Sequence, residues 1–169
     1  MIRPLELGDA ARLAALYDRN RDFLRPYEPE RHDRFFTAEG QRERAAQALD
    51  AAREGTLFCY LIVDGSGGIA GTIALSNVVR GASQSATVSY WVDRDRNGEG
   101  LATGALAHVV ALARAELRLH QLLAPVQIEN LASQRVLLKN GFEQIGVVRG
   151  FLHVGGAWRD HILYQRVLD

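Results

Sequence analysis

A glycine-rich turn between a strand and a helix is the first place in this 169-residue chain where residue types and spacing suggest chemistry. Apolar residues alternate from Ala86 to Val92, which predicts a strand, and they recur at helical spacing from Leu101 onward. Between these elements, Gly98 and Gly100 allow a tight turn and close approach of a ligand to the backbone. Because the first N–H groups of a helix lack intrahelical partners and can point at an anion, a diphosphate would fit at this turn.

Two common phosphate-binding motifs do not match this turn. A P-loop requires Gly-Lys-Ser/Thr after its second glycine, whereas Gly100 is followed by Leu101 and Ala102. A dinucleotide fingerprint that began at Gly98 would need a third glycine where the chain has Thr103. Glycine-rich turns also connect strands to helices without any ligand. The turn alone therefore leaves a binding site and an ordinary connection equally open.

A second set of unusual residues recurs between Asn130 and Phe142. Asn130 is a natural helix N-cap, and Gly141 stands where glycine commonly follows a helix. Ser133 would be the third residue of that helix, where many residue types are tolerated. Helix capping thus explains Asn130 and Gly141 but leaves the choice of Ser133 open.

Taken together, the two tracts resemble signatures of the GNAT (GCN5-related) N-acetyltransferases. The first resembles Gln/Arg-x-x-Gly-x-Gly/Ala, with Asn97 where Gln or Arg is usual, and the second resembles Asn-x-x-Ser-x-x-x-Leu-x-Lys-x-Gly-Phe. The resemblance implies acetyl-CoA as cofactor, coenzyme A as product and no metal. The implied cofactor-binding residues are Tyr90, Trp91, Val92, Asn97, Gly98, Glu99, Gly100, Leu101, Ala102, Thr103, Asn130, Ser133 and Lys139.

The resemblance also implies roles in acetyl transfer. Asn130 would contact the pantetheine arm, and the Ser133 hydroxyl would protonate or hydrogen-bond the leaving thiolate. A backbone N–H within residues 90–92 would hold the developing oxyanion, at a bulge that splays this strand from the next parallel one. Such a split would make room for the thioester.

Three further segments, residues 23–29, 76–81 and 156–161, resemble ribosomal-protein-alanine N-acetyltransferases of the RimJ and RimL group. This narrower resemblance implies that the acceptor is the α-amino group of a protein N-terminus, with a small first residue such as alanine. Alternatives are a small-molecule amine, such as a polyamine or an antibiotic, and a non-catalytic acetyl-CoA-binding module. Residues 19–34 carry five arginines against four acidic residues, a balance that disfavours a polycationic acceptor.

Acetyl transfer requires a neutral amine, and an α-amino group with a pKa of about 7.7–8.0 provides one near neutral pH without a strong base. Glu28, within the aromatic-rich segment of residues 20–37, is the candidate base acting through water; a surface ion pair with Arg25 or Arg31 is the alternative. Asp160 would either orient the incoming ammonium group or form an ion pair within the last hairpin. Tyr164 lies on the last expected strand, where an aromatic side chain is expected to pack in the core. We call residues 20–37 the lip segment, because they are the candidate edge of the substrate site.

Composition sets limits on the class of protein. The chain carries 20 basic and 20 acidic residues, so the net charge is zero, which argues against direct nucleic-acid binding or membrane binding driven by the whole surface. A single cysteine, Cys59, fits a reducing cytoplasm, and its place in an apolar run favours a buried hydrophobic role. None of the five histidines has metal-ligand spacing.

The order of predicted elements indicates a mixed α/β protein and one domain over residues 1–169. The expected strands cover residues 2–7, 57–63, 69–79, 85–92, 121–127, 142–154 and 158–167. A first helix is expected to begin after Asp9, and three further helices are expected to cover residues 38–53, 100–117 and 131–140. The lip segment is expected to be irregular. The resemblance implies the GNAT acyl-CoA N-acyltransferase fold, in which four helices flank a mostly antiparallel sheet with a splayed parallel pair. The pattern leaves a homodimer open.

Overall fold

A computed structural model describes residues 1–168. Strands and helices follow one another in the order that the sequence predicts, with one additional short α-helix in the lip segment. The strands are β1 (Ile2–Pro4), β2 (Phe58–Val63), β3 (Ile69–Val79), β4 (Ser85–Val92), β5 (Gln121–Gln127), β6 (Glu143–Val154) and β7 (Ala157–Val167). The α-helices are α1 (Ala10–Arg19), α2 (Arg21–Leu24), α3 (Ala38–Arg53), α4 (Leu101–Ala115) and α5 (Leu131–Lys139).

All seven strands form one sheet in the order β1-β2-β3-β4-β5-β7-β6. Every neighbouring pair is antiparallel except β4 and β5, which are parallel. This arrangement confirms the expected mixed α/β fold. Since α4 connects the two parallel strands and α5 follows the second, both helices begin near the carboxyl ends of β4 and β5.

The parallel pair separates soon after it forms. Backbone pairing between β4 and β5 extends only from Ser85–Gln121 to Thr87–Leu123. Beyond this point β4 remains paired with β3 as far as Val92, and β5 remains paired with β7 as far as Gln127. Within residues 1–168, the edge of β4 that faces the gap therefore has no strand partner after Thr87.

The expected bulge at residues 90–92 is absent, because β3 and β4 pair in continuous register over these residues. The irregularity lies instead in β3, between Ser76 and Val79, where Asn77 has a φ of 50°. The strands therefore splay without a bulge in β4. β4 and β5 separate because β4 remains hydrogen-bonded to β3 and β5 remains hydrogen-bonded to β7.

Alternating side chains of the strands supply two cores, one on each face of the sheet. On one face Ile73, Val88 and Leu122 pack with Leu106 and Val109 of α4. On the other face α1 and α3 cover the sheet, and the buried residues there are Leu5, Leu13, Tyr17, Leu24, Phe35, Ala45, Ala48, Leu61 and Val63. Consecutive β4 residues Tyr90 and Trp91 thus pack against different cores.

Two local expectations differ from the structure. Asp9 occupies the expected N-cap position of α1, but its side chain does not bond to the first turn of the helix. Its carboxylate instead accepts the Glu6 N–H at 3.0 Å and pairs with Arg3 at 2.6 Å, which closes the short 3-10 turn that precedes the helix. The lip segment contains α2 and a 3-10 turn at Asp33–Phe36, so it is more regular than its proline content suggests. No helix within residues 1–168 is both long and apolar enough to cross a membrane.

Candidate active site

The glycine turn has an open outer surface. Gly98 and Gly100 have φ angles of 87° and 78°, which explains why both positions are glycine. A Cβ built at either residue would meet no atom within 4 Å, so packing does not restrict the space above the turn. The first intrahelical hydrogen bond runs from the Gly104 N–H to the Gly100 carbonyl at 2.9 Å, and the N–H groups of residues 101–103 precede it. These groups fit a diphosphate.

A buried carboxylate holds this turn against α1. Asp93 is 2% exposed and accepts hydrogen bonds from the Arg19 guanidinium and, at 3.0 Å, from the Asn20 side-chain amide. The Asn20 side-chain oxygen in turn accepts the Arg94 N–H at 3.0 Å. Burial acts to raise the pKa of Asp93, but the hydrogen bonds from Arg19 and Asn20 outweigh it, so the pKa lies below its usual value. The start of the turn is therefore fixed by the end of α1.

The polar side chains of the turn are used within it. Asn97 donates its amide to the Arg94 carbonyl at 3.2 Å. Glu99 pairs with Arg96 at 2.7 Å, and Arg96 also bonds to Asp64 at 2.7 Å. Binding of an anion here would accordingly rest on backbone N–H groups, with Asn97 supporting the turn rather than the ligand.

Ser133 meets Tyr90 across the gap between the splayed strands. Asn130 caps α5, because its side-chain oxygen accepts the Ser133 N–H at 3.1 Å. The Tyr90 hydroxyl lies 3.0 Å from Ser133 Oγ, where either oxygen can be the donor, and 3.2 Å from the Ser133 carbonyl oxygen, to which it can also donate. Burial raises the pKa of Tyr90 to about 12. The phenol therefore stays protonated at neutral pH, and it fixes the position of the serine.

The far end of α5 contacts the first turn of α4. Lys139 is exposed in the last turn of α5. The next residue, Asn140, donates its side-chain amide to the Thr103 carbonyl at 3.3 Å. Phe142 is buried in the core beneath. The two helices whose N-termini flank the gap are thus tied together.

A cavity of about 410 Å³ reaches the same stretch of β4 from the opposite face of the sheet. It is enclosed by α1, α3, the lip segment and strands β2 to β4, and we call it the α1–α3 cavity. Tyr90 and Trp91 both contribute to its lining. The Trp91 indole donates to the Tyr17 hydroxyl at 3.1 Å, which fixes the ring against α1. A group held in this cavity can therefore approach β4 opposite a ligand in the gap.

Glu28 lies in the wall between the α1–α3 cavity and a neighbouring cavity of about 330 Å³. Its side chain is 22% exposed, and burial raises its pKa, although Arg31 opposes this effect. The carboxylate lies 3.5 Å from Arg31 Nε, so Arg31 rather than Arg25 is its ionic neighbour. Glu28 therefore both forms an ion pair with Arg31 and lines the cavity.

The backbone around Glu28 is anchored to the C-terminal half of the sheet. The Glu28 carbonyl accepts the Gly155 N–H at 3.0 Å, and the Pro26 carbonyl accepts the Gln127 side-chain amide at 2.8 Å. Gly155 has a φ of 57°, and a Cβ there would lie 3.0 Å from the Pro26 oxygen. The lip segment therefore depends on contacts from β5 and from the turn between β6 and β7.

The other residues singled out in the sequence make contacts that belong to the fold or line the cavity. Asp160 accepts the Gly150 N–H at 2.7 Å across the β6–β7 hairpin. Tyr164 is 1% exposed in the core and donates to Gln134 at 3.4 Å. Cys59 is half-buried and lines the α1–α3 cavity. Within the described part of the chain, no three His, Cys, Asp or Glu side chains are grouped closely enough to hold a metal ion.

Sequence reasoning missed three residues of the site. Tyr17 and Arg44 line the α1–α3 cavity from α1 and α3, and Gln127 anchors the lip segment from the end of β5. The apolar spacing of α1 indicates that Tyr17 is buried, but nothing local distinguishes its hydroxyl. Arg44 and Gln127 act on residues far along the chain, so their roles have no local sequence signal.

A splayed parallel pair, an open glycine turn and a serine at the gap agree with the arrangement expected of an acetyl-CoA-dependent N-acetyltransferase. Residues 1–143 match the model of the Acetyltransferase (GNAT) domain family, and the chain belongs to this family. It is 37% identical over 161 residues to the probable N-acetyltransferase YjcK of Bacillus subtilis, covering 95% of this chain and 89% of that protein. It is also 30% identical over 164 residues to the [ribosomal protein uS5]-alanine N-acetyltransferase of Escherichia coli, covering 96% and 84%.

The fold agrees with a solved structure that contains the cofactor. Mycobacterium smegmatis RimJ in complex with CoA-disulfide superposes with a TM-score of 0.94 at 31% identity, covering 98% of this chain and 80% of that one. The chain is an acetyl-CoA-dependent N-acetyltransferase that transfers acetyl to an amine. The expectations for family, fold, reaction and cofactor are confirmed.

Proposed function

We propose that this enzyme acetylates the α-amino group of a protein N-terminus that begins with a small residue such as alanine. The observation that carries the proposal is the α1–α3 cavity, which holds one partly buried carboxylate, Glu28, opposite the β4 residues that border the gap. A single carboxylate suits one amine, whereas a polyamine would require several acidic groups. The name of the Escherichia coli relative, a ribosomal-protein-alanine N-acetyltransferase, supports the same acceptor.

Glu28 would accept the proton of the incoming ammonium, directly or through water. The pKa of the Glu28 carboxylate is raised, so it is closer to the pKa of an α-amino group, which is about 7.7–8.0. A smaller difference between the two pKa values makes proton transfer easier. A lysine side chain with a pKa of about 10.4 would need roughly 3 kcal/mol more to be deprotonated at the same pH. The α-amino group is therefore the acceptor that this weak base serves best.

The gap side of the site would activate the acetyl donor. Acetyl-CoA supplies the acetyl group as a thioester, whose sulfur leaves as a thiolate. Backbone N–H groups on the unpaired edge of residues 90–92 would donate to the thioester carbonyl oxygen. The Ser133 hydroxyl would donate to the departing sulfur, and a hydrogen bond from the Tyr90 hydroxyl to Ser133 Oγ would hold the serine in place. Asn130, Lys139 and the turn of residues 97–103 would bind the rest of the cofactor.

The wider organisation follows from the same proposal. We propose that residues 1–169 act as one domain, in the cytoplasm, on a protein acceptor rather than a nucleic acid. A homodimer stays a proposal as well; exposed apolar side chains on β6 and β7, including Ile145, Val147 and Trp158, support it. Sedimentation at micromolar concentration would distinguish a dimer from a monomer.

The acceptor is tested by mass spectrometry of products. Peptides that begin with Ala, Ser or Met are incubated with acetyl-CoA and enzyme, beside spermidine and an aminoglycoside. We expect one acetyl group on the N-terminus of the Ala and Ser peptides and little on the small molecules. Blocking the N-terminus of the Ala peptide should abolish the product. Faster acetylation of spermidine, or of a lysine in the blocked peptide, would contradict the proposal.

A further inference from the structure

Two arginines lie on the same aromatic ring at the α1–α3 cavity. The guanidinium carbon of Arg31 is 4.6 Å from the centre of the Phe35 ring, and that of Arg44 is 4.7 Å from it. Both residues line the cavity. Stacking on one ring restricts the motion of two otherwise flexible side chains, so two positive charges are held at a defined place.

Neither arginine is fully paired. Among residues 1–168, no carboxylate lies within 4.0 Å of the Arg44 guanidinium. Arg31 is held beside Glu28, with its Nε 3.5 Å from the Glu28 carboxylate, while the Arg31 side chain as a whole is 30% exposed. Arg44 is exposed and Arg31 is partly exposed, so both guanidinium groups keep N–H donors that a bound anion can use.

The charges of the cavity lining do not balance. Its charged side chains are one carboxylate, Glu28, and two guanidiniums, Arg31 and Arg44. An amine bound beside Glu28 satisfies the carboxylate and leaves excess positive charge a short distance away. The complementary acceptor therefore carries an anionic group a few ångströms from its amine. Guanidinium groups bind carboxylates well because their N–H donors match the carboxylate oxygens in geometry.

We propose that Arg31 and Arg44 form a subsite for an acidic side chain at the second or third residue of the acceptor peptide. This inference rests on the proposed N-terminal acetyltransferase activity and adds sequence selectivity to it. Each residue of an extended peptide spans about 3.3 Å, so these positions lie near the amine without overlapping it. The subsite selects acidic N-terminal sequences and repels basic ones.

Matched peptides test the subsite directly. Three C-terminally amidated hexapeptides begin with Ala-Glu, Ala-Gln or Ala-Lys, and a second set carries Glu, Gln or Lys at the third position. At saturating acetyl-CoA we expect kcat/KM for the Glu peptide of one set to exceed that of its Gln counterpart about tenfold, mainly through KM, with the Lys peptide lowest. The difference should shrink as salt concentration rises. Equal kcat/KM values for Glu, Gln and Lys peptides in both sets would overturn the subsite.

Substitutions of Arg44 assign the effect to this residue. Arg44→Gln should reduce the preference for Glu over Gln, and Arg44→Glu should shift the preference toward the Lys peptide. Arg42→Gln, a change of an exposed arginine on the same helix, should leave the preference unchanged. Thermal unfolding checks that each variant is folded. A folded Arg44→Glu variant that slows all peptides equally would show a general structural role and overturn the assignment.

The subsite can fail independently of the proposed function. If every Ala peptide is acetylated at the same rate, N-terminal transfer stands and the subsite is wrong. If no peptide is acetylated, the proposed function is wrong, and binding then decides the subsite. In that case calorimetry compares the N-acetylated Ala-Glu and Ala-Gln peptides on the enzyme with coenzyme A. Tighter binding of the Glu peptide supports the subsite, and equal affinity overturns it.

Discussion

At the scale of single residues, the site combines side chains whose pKa values are changed by burial with a serine that is held in place by its neighbours. The pKa values of Glu28 and Tyr90 are both raised, because burial disfavours the charged form of each side chain. Ser133 has no special environment beyond its helix cap and the Tyr90 hydroxyl. Its proposed role therefore depends on position, which the phenol fixes.

Replacing Glu28 separates base catalysis from structure. Glu28→Gln keeps the shape and removes the charge, so we expect the largest loss of kcat/KM at low pH, where the amine is most protonated, and partial recovery as pH rises through about 8. A raised folded pKa means that folding disfavours the charged carboxylate above the unfolded pKa of about 4.3. The variant should therefore be at least as stable as the parent at pH 7. A pH–rate profile parallel to that of the parent would exclude base catalysis.

Two variants test the serine and its neighbour. Ser133→Ala should lower kcat roughly 10- to 100-fold with little change in KM, because a hydrogen bond to a charged group contributes about 1.5–3 kcal/mol only as the sulfur becomes anionic. Tyr90→Phe should lower kcat less, since it removes only the group that orients the serine. Tyr90→Phe in the Ser133→Ala background should then have little further effect. Independent, multiplicative losses would show that the two hydroxyls do not act together.

At the scale of elements, the site is assembled at the ends of secondary structures. The glycine turn follows β4, α5 follows β5, and the lip segment is held by the β6–β7 turn and by Gln127. Gly155 matters in this assembly because its positive φ and its approach to Pro26 both exclude a side chain. A contact in the last hairpin thus positions a carboxylate near the start of the chain.

A pair of glycine substitutions isolates this contact. Gly155→Ala should displace the lip segment, since its Cβ would lie 3.0 Å from the Pro26 oxygen, and we expect kcat/KM to fall several-fold. Gly67→Ala provides the control, because Gly67 also has a positive φ of 83° but has open space around it. Both variants should lose about 1 kcal/mol of stability from backbone strain. If Gly67→Ala reduces kcat/KM as much as Gly155→Ala, strain rather than displacement explains the loss.

At the scale of the whole molecule, buried polar groups connect parts that the apolar cores leave separate. Asp93 joins the end of α1, on one face of the sheet, to the turn that leads into α4, on the other. The residues it connects are more than 70 positions apart in the chain. The network therefore couples the fold to the geometry of the glycine turn.

The contribution of the Asp93 network to stability should depend on pH. Because the pKa of Asp93 is lowered in the folded protein, its contribution to stability is present above the unfolded pKa of about 3.9 and is lost as pH falls below it. Asp93→Asn should lower the free energy of unfolding by ~1–3 kcal/mol at pH 7 and by less near pH 3. Chemical denaturation at both pH values measures the difference. Equal destabilisation at pH 7 and pH 3 would contradict an electrostatic role for Asp93.

The sequence alone determined the order of the elements, the glycine turn and the Asn130–Phe142 tract. These features are local: alternation predicts β4, helical spacing predicts α4, and caps mark both ends of α5. The conformation of the lip segment and the hydrogen bonding of Asp9 were less well predicted. Their conformations depend on hydrogen bonds that compete with local preference, such as the bond from the Glu6 N–H to Asp9.

Only the tertiary structure decided how these elements meet. Local pattern does not show that β5 stays with β7 and leaves β4 with a free edge, because strand pairing is settled between residues far apart in sequence. The same holds for the contact of Tyr90 with Ser133 and for the place of Arg44 beside Phe35. Residue types therefore specified which groups could react, and packing specified which of them face one another.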